Sequence, residues 1–152
     1  MYFKKILVTT DFSDDSKNAF DLSSYEEKME GSDITLLSVI EETEIPVALY
    51  RYIPNPESIT NYKEELIADT KKKLEDIAKG SFHKEDVDCQ VVMTDAGAAN
   101  EICDFAKRGG YNLIVMASHG RGATGSLLLG SVVQKVLRHA PCPVLVVPKV
   151  AS

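Results

Sequence analysis

Four of the nine glycines in this 152-residue chain fall between Gly120 and Gly130, in the run Ala117-Ser-His-Gly-Arg-Gly-Ala-Thr-Gly125 and on to Gly130-Ser131. Backbone without Cβ atoms can turn its N–H groups toward an anion, so this spacing has the form of a phosphate cradle. The loop feeds a helical pattern whose start offers the Ser131 hydroxyl and the first N–H groups, those of Ser131, Val132 and Val133. Such an end binds phosphate by hydrogen bond and dipole together. Arg121 could add a charge; His119 could add a contact when protonated, or be a solvated or backbone-bonded loop histidine. Two known phosphate motifs fail the test of spacing. Gly120, Gly122 and Gly125 spell G-x-G-x-x-G, but the dinucleotide fingerprint wants an acid about 20 residues on, and no acid follows Asp104. A P-loop ends in Gly-Lys-Ser/Thr, whereas Gly130 meets Ser131 directly. The bland alternative is a flexible surface turn.

The elements that must hold this loop alternate along the chain. Lys5–Thr9 reads as a strand, and Asp14–Met29 as a helix with Ala19, Leu22 and Met29 on one face. Ile34–Ile40 is mostly apolar, broken only by the small hydroxyl residues Thr35 and Ser38, as in a strand buried on both faces. From Glu41 to Asn61 the pattern breaks around Pro46, Pro54 and Pro56, a connection long enough to serve as a lid or contact surface, or to be a plain insertion. A helix of about five turns follows from Ile59, ended by Gly80. Val87–Met93 alternates like a half-exposed strand near a sheet edge. Ala99–Arg108 is a short helix stopped by Gly109-Gly110. Leu113–Ala117 is another buried strand, Ser131–His139 a helix and Val144–Val147 the last strand. Five strands and four helices in this order predict an α/β fold, an open parallel sheet with helices on both faces. Ligands then collect beyond the strand ends where the order reverses, here Thr9-Thr10-Asp11 and the residues from Met116 and Ala117 onward.

Composition narrows the function classes. Hydrophobic residues make up 44% and charged residues 26%, as in an ordinary folded domain, and residues 1–152 read as one domain. Apolar runs of about five residues, against the ~20 a membrane helix needs, leave nothing to span a bilayer. The start Met1-Tyr-Phe-Lys-Lys-Ile-Leu-Val8 is too short an apolar run for a signal peptide, so the expected compartment is the cytoplasm. Cys89, Cys103 and Cys142 read as reduced packing thiols. The net charge is −6, yet Phe105–Ser152 holds no acid and six bases, leaving 11 bases and 23 acids, a net −12, in the first 104 residues. An anion would favour the C-terminal third, while nucleic acid as a partner is disfavoured by the overall sign. No spacing suits a Ser/His/Asp trio or a metal cluster. Arg138 and His139 suit a helix C-terminus.

The stretches Leu113-Ile-Val-Met-Ala-Ser-His-Gly-Arg-Gly122, Leu127-Leu-Leu-Gly-Ser-Val132, His139-Ala-Pro-Cys-Pro-Val-Leu-Val-Val147 and Ile6-Leu-Val-Thr-Thr-Asp-Phe-Ser13 resemble the universal stress protein family across essentially the whole chain. Nucleotide-binding members carry G-x2-G-x9-G-S/T; Gly120, Gly130 and Ser131 match it, and Ala117 stands at the first glycine's place. Thr9 and Asn112 replace a frequent proline and aspartate. The resemblance implies a Rossmann-like, adenine-nucleotide-binding sheet ordered 3-2-1-4-5. It also implies ATP or AMP, with Mg2+ as a possible companion, on the glycine loop, the adenine near Val39, and Asp11 with Thr10 beside the ligand. Asp11 could hold a ribose hydroxyl or a magnesium-bound water; otherwise it caps the helix beginning near Ser13. Pro143 and Pro148 flank the last strand and put it at an edge, where pairing with a second copy would give the homodimer common in the family. The expected role is a dimeric stress-response sensor, the alternatives a slow or partner-activated ATPase or phosphotransferase, or an adaptor that binds no nucleotide.

Overall fold

A computed structural model of the chain describes residues 3–52, 55–120 and 128–149. Arg121, Gly122 and Gly125 of the glycine loop, and Pro54, lie outside the described residues. The elements run β1 (Lys5–Thr9), α1 (Ser16–Glu30), β2 (Asp33–Glu41), a 3-10 turn (Glu42–Glu44), α2 (Val47–Tyr52), α3 (Pro56–Ser81), β3 (Asp88–Thr94), α4 (Ala98–Gly109), β4 (Leu113–Ala117), α5 (Ser131–His139) and β5 (Val144–Val147). All strand pairs are parallel, in the order β3-β2-β1-β4-β5 expected from the sequence.

Strand period explains the layering. Ile6, Val8, Ile34, Leu36, Leu113 and Val115 face α1 and α3, while Leu7, Leu37, Ile114 and Met116 face α4 and α5. The three central strands bury both faces, which is why they read as mostly apolar runs. Each such side chain contributes roughly 1.5–3 kcal/mol on leaving water. Burial, then the nearby Glu75 and Asp88 carboxylates, push the Cys89 thiol up to about 11, and burial also raises Cys103 and Cys142. All three are free thiols.

Two boundaries differ from the sequence reading. The supposed connection from Glu41 to Asn61 holds the 3-10 turn, α2 and the first turn of α3. Asn55 caps α3 by accepting the Ser58 N–H at 2.8 Å, and Pro56 follows in the first turn, so proline here starts a helix. At the other end Gly80 does not stop α3, which runs on to Ser81.

Candidate functional site

β1 and β4 lie side by side at the centre of the sheet, and the chain leaves them in opposite directions. Their C-terminal ends therefore diverge into a crevice. A cavity of about 370 Å3 occupies it. Thr9, Thr10 and Asp11 enter it from β1, Val39 from β2, and Met116, Ala117, His119 and Gly120 from the end of β4. Gly130, Ser131 and Val132 close it from the start of α5. The two sequence segments picked out by chemistry thus line one cavity, and Arg121, with Gly122 and Gly125, lies outside the described residues.

The phosphate-like end is built on main chain. The Gly130 N–H donates to Ser118 O at 3.0 Å, and the Gln134 N–H to Gly130 O at 3.0 Å, closing the first turn of α5. Gly130 is the N-cap and brings no side chain to cap the helix, and the N–H groups of Ser131, Val132 and Val133 have no acceptor within the helix itself. Gly130 has φ −58°, open to any residue, and a Cβ there would meet Ser118 O at an ordinary 3.6 Å. Gly120 is the opposite case: a Cβ on it would collide with Asp11 Oδ2 and stand 3.4 Å from Asp11 Cγ.

Asp11 is held from its own turn. Its Oδ1 accepts the Ser13 N–H at 2.9 Å and the Ser16 hydroxyl at 3.2 Å, so the carboxylate ties down the approach to α1. Between them Phe12 takes φ 65°, a left-handed conformation unusual for an aromatic residue, with its N–H donating to Thr10 Oγ1 at 2.9 Å. His119 is likewise engaged inside the loop. Its Nδ1 meets Ser118 Oγ at 2.9 Å and its Nε2 meets Leu128 O. A carbonyl only accepts, so Nε2 carries the proton and the ring joins the two ends of the loop.

Sequence reasoning missed Leu37, Glu41, Ala98 and Ile102, which also line the cavity, as does Glu44. Glu41 was within reach of the strand period, because Leu37, Val39 and Glu41 alternate onto one face. Its Oε1 accepts the Ala98 N–H at 2.9 Å and caps α4.

The universal stress protein family profile matches residues 2–148. This chain belongs to that family. Universal stress protein YxiE of Bacillus subtilis is 31% identical over 95% of this chain and 99% of its own length. The solved structure of hypothetical protein MJ0577 superposes with a TM-score of 0.80 at 31% identity, covering 100% of both chains; the same protein is known as universal stress protein MJ0577 of Methanocaldococcus jannaschii. A universal stress protein from Archaeoglobus fulgidus, solved in complex with dAMP, has a TM-score of 0.59 at 19% identity, covering 96% and 98%. This member of the universal stress protein family keeps Gly120, Gly130 and Ser131 of the glycine pattern around the cavity, and the Ala117 methyl forms part of its wall. No described helix is long and apolar enough to cross a membrane.

Proposed function

We propose that the crevice binds an adenine nucleotide, ATP or AMP, and that a homodimer reports its occupancy in a stress response. The observation that carries the reading is a cavity lined by two unlike sets of groups: main-chain donors of α5 without helical acceptors, and the apolar side chains of Leu37, Val39, Ile102 and Met116. The first suits phosphate and the second a flat ring. The ladder adds a third match. Leu37 O accepts the Thr10 N–H at 3.0 Å, and by the alternation of a parallel ladder Val39 turns its N–H and C=O the same way, past the last rung of β1. A donor beside an acceptor complements the edge of adenine that carries N1 and the amine. Asp11, also in the lining, fits a donor such as a ribose hydroxyl or a magnesium-bound water. The Archaeoglobus fulgidus protein of the same fold holds dAMP. For pairing, β5 lies at the sheet edge with Leu145 38% exposed, and an apolar edge of this kind suits a second copy.

A melting experiment tests the binding. MgATP at 100 times its dissociation constant adds about 2.7 kcal/mol, which for a chain this long raises Tm by roughly 5–10 °C. Gly130→Asp supplies the control. The Cβ fits, an N-cap aspartate stabilises α5, and the carboxylate takes the place of the phosphate. The variant should melt no lower than wild type and lose the response; a full response would refute the cradle.

A further inference from the structure

We propose that Glu41 is the residue that selects a 6-aminopurine over a 6-oxopurine in this crevice, a proposal that rests on the nucleotide reading above. Leu37 and Val39 point from β2 into the apolar layer beneath α4, and the third residue of that row is a carboxylate. A strand that ends on an acid at the rim of an apolar slot places one strong acceptor where the edge of an inserted ring arrives. Glu41 is half-buried and lines the cavity. It is also fixed. Oε1 accepts the Ala98 N–H at 2.9 Å at the start of α4, whose N-terminal dipole favours the negative charge. Among the described residues the other oxygen, Oε2, has only the Thr43 hydroxyl at 3.5 Å, the outer limit of a hydrogen bond.

A carboxylate offers lone pairs and no proton. The 6-amine of adenine has two hydrogens, one for the Val39 carbonyl and one for Glu41. A 6-oxo group has none, and its lone pairs would face the carboxylate at close range. The selectivity then comes from both gain and repulsion, which is how a site rejects a near-isostere.

Calorimetric titration of ATP and ITP into wild type and Glu41→Gln, with magnesium, tests this. In the variant the amide oxygen can keep the Ala98 N–H, which turns the NH2 group toward the cavity, where it suits an oxo group. The ratio of ATP to ITP affinity should fall by roughly 10- to 100-fold, the worth of a hydrogen bond to a charged group. An unchanged ratio, or an equal loss for both nucleotides, overturns the proposal and assigns Glu41 to helix capping alone. Purine riboside triphosphate, which lacks the amine, provides an arm that needs no mutant: it should bind wild type at least about tenfold more weakly than ATP, and equal binding again overturns the assignment. Binding of no nucleotide to wild type sinks the parent reading and this one together, an outcome distinct from equal binding.

Discussion

Gly120→Ala adds one methyl group against the most tightly tied side chain of the crevice. The new Cβ would overlap Asp11 Oδ2, and the carboxylate cannot swing aside without giving up the Ser13 N–H and the Ser16 hydroxyl on its other oxygen. Overpacking costs about 1–3 kcal/mol, and breaking one of those charge-assisted bonds about 1.5–3; the chain takes the cheaper path, so a loss of about 2 kcal/mol is expected. The assay is urea unfolding of wild type, Gly120→Ala, Asp11→Ala and the double variant. Removing the carboxylate removes the collision, so Gly120→Ala should cost about 2 kcal/mol less in the Asp11→Ala background than in wild type. Additivity within about 0.5 kcal/mol would mean that the two residues do not press on each other, and would refute the reasoning. Gly130→Ala is the internal contrast: with φ −58° and its nearest contact at 3.6 Å, it should leave unfolding unchanged or slightly delayed.

Other perturbations follow from the same geometry. His119→Ala removes the bridge from Ser118 to Leu128, so MgATP affinity should drop about tenfold with a stability loss near 1 kcal/mol; unchanged affinity in a titration would show that the ring does not order the loop. The Cys89 thiol, raised to about 11 from 9.0, stabilises the fold fully below pH 9, and this contribution is lost as pH rises from about 9 to 11. Thermal unfolding of Cys89→Ala should accordingly fall off less steeply over that interval than wild type, and parallel curves would contradict the cause given. Leu145→Lys puts a charge on the exposed edge strand and should convert a dimer to a monomer in sedimentation; a wild type that sediments as a monomer would remove the pairing.

Much of the fold was legible because period and burial agree. Ile6 to Thr9, Ile34 to Ile40 and Leu113 to Ala117 are mostly apolar and almost wholly buried on both faces, a pattern that helices above and below a parallel sheet require. The halves of the crevice were legible because glycines cluster after one strand and Asp11 follows another. What stayed hidden depended on contacts across the fold. Pro56 read as a breaker because its role as a helix starter depends on Asn55 accepting from Ser58. Gly80 read as a stop, but the helix runs one residue further and Phe82 completes its end by donating to Ala78 O at 3.0 Å. Glu41 read as the start of a loop, since a polar residue after an apolar run carries no sign of the α4 amide it caps. His119 read as a phosphate contact or a solvated or backbone-bonded loop residue, and its partner, Leu128 O nine residues on, was not legible along the chain.

Phe12 sets a conflict between durability and use. Holding an aromatic residue at φ 65° costs of order 1 kcal/mol or more, which glycine at the same place would recover. The ring has its own reasons to stay: it lines a shallow groove with Phe20 and Ile77 on the opposite side of the sheet, and the Lys73 ammonium stands 5.9 Å over it. Directed evolution toward heat resistance should therefore find position 12 early. Its winners would gain roughly 2–4 °C in Tm and trade away the stiffness with which the neighbouring carboxylate is presented.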